Sequence, residues 1–268
     1  MTEKSIFPKS RWQINCSEKK LPFLKNSVML VGLPGIGNVG KIVVDFLIDE
    51  LKAKKLYHIN SYYFPHTVFV TENNLVELPS IEIYYKKGSG KISDFIFVSG
   101  DVQPTGQESC YEFCDMLIDI FHDLKGKEIL TLGGIGLQEV SEKPKVFCTG
   151  TTQAQVDVYK KATAVNPHLY GVVGPIVGVS GVLLGLSINR NIPAVCILAE
   201  TIAHPYYVGI KGSKEILLVL QKKFGLSVDL NKLDKEIKDF EKDIVHTAQQ
   251  MMDEMHKQGA VGQQSYIG

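Results

Sequence analysis

The chain has 268 residues, enough for one large domain or a domain with an appendage. Its 29 basic and 29 acidic side chains cancel, which excludes a chain-wide electrostatic hold on nucleic-acid phosphates, and no dense Lys/Arg run supplies a local one. Five scattered cysteines (Cys16, Cys110, Cys114, Cys148, Cys196) argue against a disulfide framework and for a reducing, cytoplasmic setting.

The first 26 residues are polar and basic, carry the sole tryptophan, Trp12, and read as a segment packed on the surface; no signal-peptide core is visible. Val28 to Val31 predicts a strand that breaks into a glycine-rich turn, and Val39 to Leu51 an amphipathic helix. Gly35, Gly37 and Gly40 fit the spacing of a dinucleotide turn, and Gly35 to Lys41 the opening of a phosphate loop. Neither pattern is completed. Position 42 is Ile where a magnesium-holding hydroxyl is needed, and Tyr57 to Tyr62 offer no carboxylate to a ribose. A tight strand-to-helix turn whose glycines let the helix lie close on the sheet explains the pattern at least as well.

Ile59 to Val70 and Leu75 to Tyr85 predict two strands around a hairpin turn, Thr71-Glu-Asn-Asn74. Phe95 to Ser99 is a further strand ending at Gly100-Asp101. Thr105 as N-cap with Glu108 predicts a capping box, followed by a core-facing stripe of Tyr111, Cys114, Leu117, Ile118 and Phe121. Ile129 to Leu132 predicts a strand with a glycine turn after it, Gly133-Gly-Ile-Gly136, and Val146 to Cys148 another. Tyr170 to Leu186, cut by six glycines and prolines, reads as a buried strand, turn and helix and is slightly short for a membrane span. Gly178 to Asn189 is its helix; a late strand, Ala194 to Ala199, and a helix, Ser213 to Phe224, follow. Strands ending in glycine turns before helices indicate an α/β mixed sheet with helices on both faces, in a domain over residues 1 to 226. Residues 227 to 268 are predicted to form a C-terminal helix and flexible tail. There Leu230, Leu233, Ile237, Phe240, Ile244, Met251 and Met255 make a narrow seam of nearly four heptads, suited to helix–helix packing, either back on its own domain or with another subunit in oligomerisation. Gly259 ends that helix.

Candidate chemistry is sparse. Cys110 and Cys114 share a helix face, but two further metal ligands are missing and buried thiols are the better reading, so no metal is expected. Asp101 and Glu200, each after a strand, with His204 near, are a possible acid–base set, although carboxylates there often cap loops and helices. Ser180 misses the nucleophile-elbow spacing by one residue. His66 and His204 stand beside prolines and read as surface residues, with Tyr206-Tyr207 as an aromatic surface.

Several segments in order carry a resemblance. Gly32-Leu-Pro-Gly-Ile-Gly-Asn-Val-Gly40 with Val43 to Ile48, Asp94 to Gly106, Thr131 to Gly136, Val146 to Gly150, Gly171 to Leu184 and Ile192 to Thr201 together resemble the proteasome assembly chaperone 2 family. The resemblance implies a fold like that of nucleoside phosphorylases and hydrolase-like proteins, homo-oligomerisation, and an ATP-independent chaperone or adaptor role with the proteasome core particle as partner. No cofactor, enzyme activity, nucleic-acid partner or membrane is expected. Some members dock through a C-terminal hydrophobic-Tyr-X tail; here Tyr266 is third from the end and Ile267 penultimate, so Tyr266, Ile267 and Gly268 are the expected contact in altered form. The alternative is a small-molecule binder or enzyme for a nucleoside- or phosphate-like ligand. Its cleft would use Gly35, Gly37, Asn38, Gly40, Asp101 and Glu200.

Overall fold

The computed structural model describes residues 11–90, 92–204 and 207–235. The chain divides into a compact unit Met1–Val228 and a second, Asp229–Gly268. In chain order the first unit contains β1 (Trp12–Cys16), β2 (Ser27–Val31), a single 3-10 turn (Ile36–Asn38), α1 (Val39–Leu51), β3 (Lys54–Ser61), β4 (Phe69–Val70), β5 (Val76–Glu77), β6 (Ile81–Lys86) and β7 (Phe95–Gly100). It continues with α2 (Gln107–Asp123), β8 (Gly126–Leu137), β9 (Val146–Gly150), α3 (Gln153–Ala162), α4 (Val179–Asn189), β10 (Ala194–Ile202) and α5 (Ile210–Phe224).

Eight strands form one sheet in the order β1-β3-β6-β7-β2-β8-β10-β9, and β4 pairs only with β5. The centre, β7-β2-β8-β10, is parallel. Antiparallel strands flank it on both sides. A parallel centre must be covered on both faces, and the strand sequences show why it is. Side chains alternate along β2: Met29 and Val31 join Ile96, Val98 and Ile129 in a core completed by Phe113, Cys114 and Leu117 of α2 and Val179 and Leu183 of α4. Val28 and Leu30 face the other way, toward α1 and α5, where Phe95 stacks on Phe97 at 5.8 Å and meets Phe224 edge-on at 5.5 Å. Each such fully buried aliphatic or aromatic side chain contributes about 2 kcal/mol.

The α/β expectation with helices on both faces holds, and the structure corrects it at several places. Trp12–Cys16 is a sheet strand: Trp12 stacks on Phe113 at 5.6 Å and pairs across from Ser61. The two long hairpin strands are shorter and lie earlier and later, and only the tip Thr71–Asn74 with β4 and β5 matches the predicted hairpin. The N-cap of α2 is Gly106 rather than Thr105, and no side chain caps the helix; Ser109 donates to the Gly106 carbonyl at 2.9 Å. Tyr111 is exposed, one step off the buried stripe of Cys110, Phe113, Cys114 and Leu117. Gly133 to Gly136 make no turn. The strand runs through them, held by β10 to the pair Leu137 and Ile202. Tyr170, Val172 and Val177 are exposed in a loop, so only the α4 half of the predicted buried strand-turn-helix is interior.

In the second unit Asn231 to Lys235 are helical, and Asp229 accepts from the Asn231 amide at 3.0 Å. Leu230 and Leu233 fall here. Ile237, Phe240, Ile244, Met251, Met255, Tyr266, Ile267 and Gly268 lie outside the described residues, as does Tyr206. Among the described residues no helix is long and apolar enough to cross a membrane.

Candidate functional site

Chain connections from β2 and β7, which are neighbours, leave to opposite faces of the sheet: β2 leads into α1 and β7 into α2. Such a point of divergence at the carboxyl ends of parallel strands opens a crevice where α/β proteins bind ligands. A cavity of about 390 Å³ lies on the other side of β2, between the glycine turn, the second half of β8 and the loop before α4. Leu33, Ile36, Ile135, Val173, Ile176 and Leu198 give it an apolar lining, and none of the lining side chains carries a charge.

Gln103 closes the inner end. Its amide nitrogen donates to the Pro34 carbonyl, and its amide oxygen accepts from the Val179 backbone at 3.2 Å. The side chain thus ties the glycine turn to the first turn of α4 and occupies a helix N-terminus that would otherwise attract an anion.

Of the six residues expected to form a ligand cleft, the structure places Gly35 and Gly40 on this cavity. Gly40 lies buried against the Leu132 carbonyl, so close that a Cβ would collide with it. Gly37 has φ +61° and its carbonyl accepts from Gly209 at 2.7 Å; a Cβ there would stand 2.6 Å from the Thr201 hydroxyl. Asn38 has φ +52° and is exposed, its side chain making no cap to α1. At Gly37 and Gly40 the turn thus brings backbone close against backbone.

Asp101 lies elsewhere, in a polar depression of about 270 Å³ with Lys41, Asp45 and Glu82. Its carboxylate accepts from the Ser80 amide at 3.1 Å and hydroxyl at 3.3 Å. Beside it, burial raises the Glu82 carboxyl, but hydrogen bonds from Lys55, Tyr84 and His58 outweigh this and hold it below its usual range. Glu200 is inside β10 rather than after it, and accepts from the Lys145 amide at 2.8 Å. The carboxylates are thus held by separate loops, and His204 is exposed. Burial raises the Cys110 and Cys114 thiols, and pushes those of Cys148 and Cys196 up to about 12, so at neutral pH they stay protonated and inert. No group of metal-holding residues occurs among the described residues.

Gln103, the β8 glycines and the loop from Val172 to Val177 were not among the site residues expected from the sequence. One signal was available: three glycines within four residues of an apolar run mark a strand that another backbone can approach closely.

A three-layer α/β scaffold with an uncharged crevice at its strand ends defines the class. The chain belongs to the PAC2 family, whose family model matches residues 29–248. Among solved structures it is similar to Pyrococcus furiosus PbaB, an archaeal proteasome activator, with a TM-score of 0.82, 32% identity, and coverage of 89% of this chain and 99% of that one. Pyrococcus furiosus PbaA, an archaeal homolog of proteasome-assembly chaperone, shares the fold at a TM-score of 0.72 and 21% identity, covering 95% of this chain and 99% of that one. An uncharacterised protein of Methanocaldococcus jannaschii is 26% identical over 241 residues, covering 86% of this chain and 90% of its own.

Proposed function

We propose that the chain is an ATP-independent assembly chaperone or adaptor of the proteasome, working as a homo-oligomer and without catalysis of its own. The observation that carries this reading is the likeness to an archaeal proteasome activator, which extends over 99% of that chain at 32% identity. The chemistry of the first unit agrees with it. Asp101 and Glu200 are engaged with backbone amides, the buried thiols stay protonated, and the crevice offers no charged group to a nucleotide or sugar phosphate.

The seam Leu230, Leu233, Ile237, Phe240, Ile244, Met251 and Met255 serves self-association in this reading. Tyr266, Ile267 and Gly268 contact the proteasome core particle, and no cofactor enters. The test is binding of the full-length chain to purified core particle, beside a chain cut after Gln264. Binding lost on truncation is the expected result. Binding that survives truncation moves the contact to the helix or the α/β unit, and no binding by either form refutes the adaptor role.

A further inference from the structure

The crevice contains an unpaired strand edge. Pairing between β2 and β8 stops at Val31 and Thr131, where β2 turns away, yet β8 runs on through Leu137. Along Leu132 to Leu137 its only strand neighbour among the described residues is β10. The lane that β2 leaves is the crevice itself. Six residues of strand span about 20 Å, room for a short extended segment.

We propose that this edge is a strand-addition site for an extended, uncharged polypeptide segment with aliphatic side chains. Three features select that occupant. Backbone amides and carbonyls along an open strand edge are satisfied best by another main chain. Gly133 leaves its face of the strand open, since a Cβ there would meet only Leu198 Cδ2, at 3.1 Å, whereas at Gly134 and Gly136 that space is already taken by the Ile36 carbonyl and by Ala203. The lining is apolar and free of charge, so an ionised side chain would enter without a partner. A small polar metabolite is poorly served, because both ends of the Gln103 amide are already engaged and Ser180 is the remaining polar side chain. The mouth is also apolar: Ile36, Val172 and Val177 are 52%, 45% and 81% exposed, a patch suited to being covered. The site lies in the first unit and is independent of the tail contact, so either can fail without the other.

The probe is a fluorescein-labelled, amidated hexapeptide of alternating valine and serine, titrated with the full chain by anisotropy. Two isomers carry N-methyl groups on the valines only or on the serines only. An added strand turns alternate amides toward the edge, so one isomer is expected to bind at least about tenfold more weakly and the other about as well as the parent. Val177→Asp, at a site too exposed to disturb folding, and Gly133→Val, which puts a side chain into the crevice beside Leu198, are each expected to weaken binding about tenfold or more. Absence of saturation below about 1 mM, equal loss with both isomers, or no effect of Val177→Asp would overturn the proposal. Binding that appears only in a Val76→Lys background would assign the site to the exposed β4–β5 hairpin of a second copy and overturn it as well.

Discussion

Gly35 and Gly40 belong to one motif but have opposite physical roles. Gly40 is buried with the Leu132 carbonyl against it, whereas a Cβ at Gly35 would meet nothing nearer than Leu33 O at 3.9 Å, and the backbone there is extended. Gly40→Ala is therefore expected to cost about 3 kcal/mol in denaturant melts, while Gly35→Ala stays within about 0.5 kcal/mol. A phosphate-cradling turn would instead need both. Glu128 offers a second test at this scale. It is 9% exposed in β8, and burial raises its carboxyl above the usual value despite the opposing charge of Lys223, whose amine stands 4.4 Å from the Tyr159 ring centroid. The folded state then holds the proton more tightly than the unfolded one, so stability falls as pH rises from the ordinary glutamate pKa through the folded value. Glu128→Gln removes that slope. Its melting temperature is expected to exceed the parent's by a few degrees at pH 7, with the gain vanishing near pH 4. A gain that grew toward acid pH would show the sign to be wrong. Such residue roles were only partly legible in the sequence. The glycine spacing was visible, but whether a given glycine meets a backbone or open space depends on atoms a hundred residues away.

Four of the five helices were read from the sequence because their signal is local, and α3 (Gln153–Ala162) was missed. The predicted α1 matches the observed Val39–Leu51 in both bounds, since apolar residues at helical spacing meet a sheet whatever lies beyond. Glycines inside elements were read less well. In α4, Gly181 sits tight against the carbonyl of Ile176 in the loop before the helix, whereas Gly185 is exposed with nothing within 4 Å of where a Cβ would stand. Gly185→Ala is expected to stabilise the protein by about 1 kcal/mol, measured from the denaturation midpoint. Gly133 to Gly136 failed in the other direction: local propensity favours a turn, and the ladder to β10 overrides it. Terminal caps are equally fine-grained, and Gly106 replaced Thr105 through a shift of one residue.

For the whole molecule the compact unit Met1–Val228 contains the eight-stranded sheet and the helices on both its faces. A chain ending at Val228 is expected to unfold in a single cooperative transition by calorimetry; a broad or absent transition would mean that the first unit does not fold alone. The order of glycine turns, strands and helices along the sequence determined the α/β class and the family resemblance, because periodicity and turn chemistry act between neighbours in the chain. Only the tertiary structure decided that β8 outruns β2 and that Asp101 and Glu200 serve different loops. It likewise decided that Gln103 bridges Pro34 to Val179. Register, free edges and shared cavities arise from segments far apart in sequence, and their energies come from contacts that no local pattern encodes.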